Sequence, residues 1–150
     1  CPNHAVGRIT PFETRGHVAL AGTFGYELDI TKLSEKEHEL VIRQTRMYHK
    51  YNDLVREGDY YRIASFSENG YYDCYMEVSK DKKETLVTYV QVRCIPNIHS
   101  RRLKLQGLDE DKIYCLEGTN EQYTGEMLMK CGFLFKDFWG DFKSRLYYFK

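Results

Sequence analysis

Two carboxylates placed two positions apart, Glu27 and Asp29, are the residues best suited to chemistry in this sequence. The run from Thr23 to Asp29 alternates with the two-residue period of a β-strand, so both side chains would point to the same side. Asp29 ends the predicted strand, and the carboxyl ends of strands are where α/β-barrel enzymes build their sites. The pair is therefore a candidate site. The alternative is a structural role, such as orienting a neighbouring loop or a basic side chain.

Histidine and cysteine give no comparable pattern. The histidines outside the first residues have no spacing suited to zinc and are interpreted as surface or packing residues: His17, His38, His49 and His99. The cysteines are odd in number and contain no CxxC pair: Cys1, Cys74, Cys94, Cys115 and Cys131. This usage favours reduced thiols in a cytoplasmic protein over a disulfide framework. We therefore predict neither a metal nor a cofactor, and a cytoplasmic location.

Two helices are expected in the first third of the chain. Thr10 and Glu13 form a capping box that predicts a short helix over about 11–21. Ser34 and Glu37 form a second box, and apolar residues at helical spacing continue to a stop at Gly58. The longer helix must pack its apolar stripe on another surface. Without further strands to cover it, the stripe must find the β region, a second copy of the chain or disorder, and we predict self-association or a flexible first third.

The texture changes after Gly58 to short runs rich in Tyr, Val, Ile and Leu. They predict strands over 59–65, 71–78, 85–93, 102–105, 112–117 and 145–149, and a short helix over 125–130. Strands at this spacing favour an antiparallel β-sandwich. A complete α/β barrel needs about 250 residues, so the 58 residues before the β region supply only one or two βα units.

Charge and hydropathy exclude two classes of partner. The 22 basic residues balance 22 acidic ones, and no basic face stands out, which argues against nucleic acid. No run approaches the roughly 20 apolar residues that span a bilayer, so no membrane is expected. The chain begins at Cys1 without an initiator methionine or a signal peptide, and we expect it to be part of a longer protein.

The opening residues, with the motifs PNH, GR-x-TP-x-ETRGH and FGYELD, closely resemble the end of the catalytic barrel in family 36 of the glycoside hydrolases. The runs over 103–118 and 140–148 look like that family's C-terminal sandwich and its closing strand. The resemblance implies an α+β chain. Residues 1–58 would form the last βα unit or units of a (β/α)8 barrel, and residues 59–150 a C-terminal antiparallel β-sandwich.

The resemblance also implies an activity. Members of the family are α-galactosidases that act on melibiose- and raffinose-type sugars with retention, using two aspartates that lie upstream of the matching segment. Neither catalytic aspartate is present here, so we expect the chain alone to be inactive. Asn3 and His4 would lie on the loop after the seventh barrel strand and, with Asp29, are candidates for binding substrate. The alternative for Asn3 and His4 is that they hydrogen-bond the loop.

Partners follow from the same resemblance: the upstream barrel, an α-galactoside substrate and further copies in a homo-oligomer. Two other functions remain open, a carbohydrate-binding module and a pure assembly domain. The aromatic residues at 71–75 and 133–139 bear on the choice, because they could form a platform for sugar rings around Trp139. We favour a place in the core or at a domain interface, where large aromatic side chains are ordinary.

Overall fold

Helices come first along the chain and antiparallel strands follow. The structure, a computed structural model, describes residues 6–136 and 138–150. The helices are α1 (Phe12–Ala19), α2 (Glu35–Glu57), α3 (Phe66–Asn69) and α4 (Gly125–Lys130), with a 3-10 turn over Ile30–Lys32. The strands are β1 (Asp59–Ala64), β2 (Tyr72–Val78), β3 (Thr85–Gln91), β4 (Ser100–Leu103), β5 (Ile113–Cys115), β6 (Gln122–Thr124), β7 (Phe133–Lys136) and β8 (Lys143–Phe149). The fold is therefore mixed α and β.

The start of α2 confirms the predicted capping box. The Ser34 hydroxyl accepts a hydrogen bond from the Glu37 N–H, and the Glu37 carboxylate accepts one from the Ser34 N–H at 2.9 Å. The box predicted for α1 is wrong. The cap of that helix is Pro11, with no side-chain hydrogen bond, because the helix begins one residue later than a cap at Thr10 requires.

The segment predicted as a strand before α2 is not one in this structure. Residues 23–27 have no regular structure, and the backbone groups of 23–28 make no hydrogen bond with the described residues. The alternation of apolar and polar residues is present, but a strand also requires a partner strand to satisfy its backbone. The described residues do not provide that partner.

The strands form one larger sheet and two small ones, all antiparallel. The larger sheet has the order β1-β2-β3-β8, so the last strand of the chain pairs with β3. The small sheets pair β4 with β7 and β5 with β6. Six of the eight strands and α4 agree with the sequence prediction, whereas β6 and β7 were not predicted.

The main core lies between one face of the large sheet and the small sheets. The large sheet contributes Cys74, Met76, Val78, Val87, Tyr89, Tyr147 and Phe149, and the rest of the cluster is Leu105, Leu108, Tyr114, Leu116, Leu128, Phe133 and Phe135. The prediction that the aromatic residues of 133–139 lie in the core is thus confirmed for Phe133 and Phe135, whereas Trp139 is exposed. Deep burial of these side chains supplies the main driving force for folding.

The opposite face of the large sheet is covered by α2. Tyr51 and Leu54 form a second buried cluster with Leu86, and Met47 and Tyr148 pack against it. The buried part of the apolar stripe of α2 therefore packs on the β region and needs neither a second copy nor disorder to leave water, whereas self-association stays a prediction.

A chain of polar contacts joins α1 to β8. The Thr14 hydroxyl donates to the Phe142 carbonyl at 2.8 Å, and the Ser144 hydroxyl donates to Thr14 at 3.0 Å. The Ser144 oxygen is then left to accept from His17 Nδ1, 2.8 Å away. Burial lowers the pKa of His17, which favours the neutral imidazole in this position. The first helix and the last strand are thus tied together.

Candidate functional site

A cleft of about 190 Å³ lies between α1, α2 and the irregular segment 23–28. Aromatic contacts hold the segment in place. The rings of Phe12 and Tyr26 are stacked with centroids 6.1 Å apart, and Phe24 stacks on Tyr48 at 5.4 Å. The cleft contains the predicted carboxylate Glu27 and is therefore the part of the described chain closest to the expected site.

Gln44 anchors the floor of this cleft. Its side chain is 1% exposed, accepts a hydrogen bond from the Tyr26 hydroxyl at 2.7 Å, and donates to the Phe12 carbonyl at 3.0 Å. Both ends of the amide are therefore satisfied, as a buried amide requires. Burial raises the pKa of Tyr26, so its hydroxyl stays protonated and keeps donating. The pair joins α2 to the segment that carries Glu27.

Gly16 lies on α1 directly against the Gln44 amide, where a Cβ would overlap with the amide atoms. We expect Gly16→Ala to lower the free energy of unfolding by about 1–3 kcal/mol, because the added Cβ would displace the buried Gln44 amide from its hydrogen bonds to Tyr26 and Phe12. Denaturant titration of the variant measures this loss. Gly22→Ala is the matched control, since no atom lies within 4 Å of its added Cβ. Equal stability of the two variants would contradict the close packing.

Arg15 gives the cleft a positive charge. Its guanidinium carbon lies 4.9 Å from the centroid of the Phe12 ring, and its Nε is buried with no hydrogen-bond partner in the described part of the chain. A buried N–H without an acceptor is costly. The geometry is therefore suited to an oxygen acceptor, a carboxylate or a hydroxyl, from outside the described residues.

Asp29 is occupied by local contacts. Its carboxylate accepts hydrogen bonds from the Thr31 N–H at 3.1 Å and the Thr31 hydroxyl at 2.6 Å, and pairs with Lys32 at 3.3 Å. The hydrogen bonds from Thr31 lower the pKa of Asp29, so the carboxylate is held ionised as the cap of the 3-10 turn. Asn3 and His4 lie outside the described residues.

The described residues do not bring the groups for glycoside cleavage into this cleft. A retaining glycosidase needs two carboxyls about 5–5.5 Å apart, but Asp29 caps the turn, and among the carboxylates that the structure describes only Glu27 lines the cleft. Residues 6–136 and 138–150 include no cluster of His, Cys, Asp and Glu that could hold a metal ion. Their helices are too short or too polar to cross a membrane.

Arg15 and Gln44 were missed by the sequence analysis. Gln44 had a signal, because it falls four residues after Leu40 and three before Met47, within the apolar stripe of α2. A polar residue in such a stripe indicates a buried side chain with hydrogen-bond partners. Arg15 had no comparable signal, since its position in the cleft depends on how α1 packs against residues 23–28.

Comparison with known proteins defines the class. The model of the glycosyl hydrolase family 36 C-terminal domain matches residues 72–149, and the melibiase model matches residues 1–58. The melibiase match covers the first two helices, and the C-terminal-domain match covers most of the antiparallel strands. The chain is therefore of the glycoside hydrolase class. It belongs to glycoside hydrolase family 36.

Relatives place the chain within that family. It is 41% identical over 150 residues to α-galactosidase Mel36A of Lactobacillus acidophilus, covering 99% of this chain and 20% of the relative. It is 44% identical over 131 residues to α-galactosidase AgaA of Geobacillus stearothermophilus, covering 87% of this chain and 18% of the relative. A structure of an AgaA variant in complex with raffinose superposes with a TM-score of 0.94 at 41% identity, over 99% of this chain and 20% of that one. The chain thus spans about a fifth of these relatives and matches their C-terminal region.

Proposed function

We propose that this chain is the C-terminal part of an α-galactosidase that releases terminal α-galactose from sugars such as melibiose and raffinose. The observation that carries the proposal is the superposition on AgaA over nearly the whole chain, with a TM-score of 0.94. The relatives that match along most of the chain are named α-galactosidases. The chain alone is inactive in this proposal, because the catalytic aspartates belong to preceding residues.

In the proposal, residues 1–58 are the last βα unit or units of the (β/α)8 barrel and residues 59–150 are a β-sandwich that braces it. The unpaired backbone of residues 23–28 supports this division, because neighbouring barrel strands would supply the hydrogen bonds that the described residues do not. Exposed apolar side chains on the two helices, Val18 and Ile42, also support a covering layer. In this proposal α2 contacts both parts of the protein: its buried apolar residues pack on the large sheet, and its exposed apolar residues face the barrel.

Asn3, His4 and Asp29 keep a proposed role beside the substrate. Asp29 caps the turn that follows residues 23–28, so it would act by fixing the loop at the carboxyl end of that barrel strand. Further copies of the protein are proposed partners, with the sandwich as part of the contact. A cytoplasmic location is supported by the free thiols of Cys74, Cys94, Cys115 and Cys131.

The proposal predicts activity for the longer protein only. We expect an aryl α-galactoside to be hydrolysed by the protein that contains this chain with its preceding residues, and no turnover above background by the 150-residue chain. The paired assay uses equal molar amounts of the two proteins. Glu27→Gln in the chain alone is the control for carboxylate chemistry.

Two results would contradict the proposal. One is a longer protein without α-galactosidase activity. The other is turnover by the chain alone that Glu27→Gln abolishes, because that result would place the reacting carboxylate in the cleft described above.

A further inference from the structure

The only tryptophan of the sequence, Trp139, is 95% exposed in the loop between β7 and β8. Tryptophan is usually highly buried, because its large apolar surface gains the most from leaving water. Phe133 and Phe135, in the same aromatic run, follow that rule and lie in the core. The exposure of Trp139 in this part of the protein is therefore unusual, and it fits a surface that a ligand or a partner covers.

The backbone on both sides of Trp139 is held rigidly by a buried side chain. Gln91, fully buried in β3, donates through Nε2 to the carbonyls of Phe138 and Gly140, each at 2.8 Å. Its Oε1 accepts from the Phe138 N–H at 3.0 Å. The two hydrogen bonds that this buried amide donates and the one that it accepts fix the peptide groups that flank the indole. The loop is pre-organised with Trp139 facing solvent, which lowers the entropy cost of binding.

A second loop brings polar groups to the same place. The Asp141 carboxylate accepts from the Cys94 N–H at 2.8 Å, which ties the loop over residues 94–99 to the Trp139 loop. Between them lies a cleft of about 750 Å³, which we call the Trp139 cleft. Asn97 and His99 line it and are exposed, and neither side chain makes a hydrogen bond to another residue that the structure describes.

The chemistry of the Trp139 cleft fits a neutral sugar. An indole offers a face for the apolar side of a pyranose ring, and a free amide and imidazole offer hydrogen bonds to hydroxyl groups. No Asp, Glu, Lys or Arg among the described residues lines the cleft, so the described lining fits a neutral ligand better than a charged one. The volume lies within the roughly 300–1,000 Å³ usual for small-molecule sites.

A protein partner fits the same surface less well. The exposed large apolar side chains of the Trp139 cleft are Ile98 and Trp139, which offer far less surface than the roughly 800 Å² that each partner buries in a stable complex. One sugar ring stacked on one indole needs no larger area. The size of the patch therefore favours a small ligand, and coverage of the indole by a second copy or by another part of the longer protein is an outcome of the test below.

We propose that the Trp139 cleft binds a neutral galactosyl oligosaccharide of the raffinose type. Trp139 stacks on the galactose ring, and the side chains of Asn97 and His99 hydrogen-bond its hydroxyl groups. The choice of galactose among neutral sugars rests on the proposed function, whereas the cleft and its polar groups stand without it.

The single tryptophan makes the site directly measurable in the 150-residue chain. Raffinose is expected to shift the fluorescence of Trp139 to shorter wavelength with a saturable dependence on concentration. Asn97→Gly removes the amide and suits the backbone, whose φ is +68°. We expect Asn97→Gly and His99→Ala each to weaken raffinose binding about fivefold, as the loss of one hydrogen bond predicts. Asn120→Gly, in a distant exposed turn, is the matched control and leaves binding unchanged.

Three outcomes would overturn the proposal: a flat raffinose titration of the folded chain, a shift that Asn97→Gly and His99→Ala both leave intact, or equal binding of sucrose, which lacks the galactosyl group.

A second measurement, on the longer protein, tests whether raffinose binds at Trp139 even where the short chain fails to fold. There, oxidation of Trp139 by N-bromosuccinimide is mapped by mass spectrometry in the cold, before raffinose is hydrolysed. Raffinose is expected to protect the indole, and Asn97→Gly to raise the raffinose concentration needed for half-protection about fivefold without changing hydrolysis.

An indole already protected without sugar would mean that another part of the protein or a second copy covers it, and would overturn the proposal. The same samples are assayed for α-galactoside hydrolysis. A protein that hydrolyses the substrate but shows no protection loses only the Trp139 site, whereas protection without hydrolysis contradicts only the proposed function.

Discussion

Replacing Phe135 with alanine is expected to lower the free energy of unfolding by about 3–5 kcal/mol. The Phe135 ring is fully buried at the centre of the main core. It stacks on Tyr89 at 5.1 Å and meets Phe133 and Tyr147 edge to face at 5.0 and 5.2 Å. Removing it leaves a cavity and also breaks three aromatic pairs, each of which adds roughly 0.5–1.5 kcal/mol beyond its buried area.

Leu134→Ala is the matched control for this experiment. Leu134 is the preceding residue of the same strand, but it points outward and is 40% exposed. Urea titration of both variants measures the difference, and Leu134→Ala is expected to cost less than about 1 kcal/mol. A Phe135→Ala protein as stable as the Leu134→Ala protein would show that the aromatic cluster is not the core of the sheet assembly.

Glu77→Gln is expected to remove a pH dependence of stability worth about 3 kcal/mol. Glu77 is 2% exposed in β2, and neither carboxylate oxygen has a hydrogen-bond partner among the described residues. Burial raises the pKa of Glu77 from 4.5 to about 7, because water no longer solvates the charge. The folded protein therefore holds this proton at pH values where the unfolded chain has lost it.

The direction of the pH dependence follows from the higher pKa of Glu77 in the folded protein than in the unfolded chain. Below pH 4.5 both states are protonated and the group makes no difference to stability, whereas between pH 4.5 and 7 stability falls as pH rises. Above pH 7 the folded protein has lost the whole contribution of about 3 kcal/mol and does not regain it. Denaturant titrations from pH 4 to 8 should show the fall in the natural protein and in Glu68→Gln, an exposed control. The Glu77→Gln profile should lack it, and parallel profiles for the natural protein and Glu77→Gln would refute the prediction.

Local signals in the sequence were sufficient for α2 and for the longer strands. The Ser34–Glu37 box and Gly58 marked the bounds of α2, because capping depends on neighbouring residues. The alternating, Tyr- and Val-rich runs of β2 and β3 were long enough to be recognised. By contrast β6 and β7 have three and four residues, and their pairing depends on distant partners rather than on local pattern.

The candidate site was less accessible to sequence reasoning. The alternation that ends at Asp29 predicted a strand, but the spacing from Asp29 to Thr31 also suits a turn in which the carboxylate caps the backbone two residues on. The structure forms that turn. Arg15 and Gln91 owe their roles to packing between segments far apart in the chain, so no local pattern could indicate them. Glu77 likewise interrupts the apolar residues of β2, and no local pattern in the sequence indicates that its carboxyl is buried.

The position of β8 bears on how the protein is made. This strand is synthesised after both α1 and β3, yet it completes the large sheet beside β3 and holds α1 through Ser144. Until residues 143–149 have been synthesised, α1 lacks this anchor, and the edge of β3 that later pairs with β8 has no partner strand. A polypeptide truncated before residue 143 would therefore keep an open sheet edge that is prone to aggregation, and quality control of the nascent chain should act before β8 is complete.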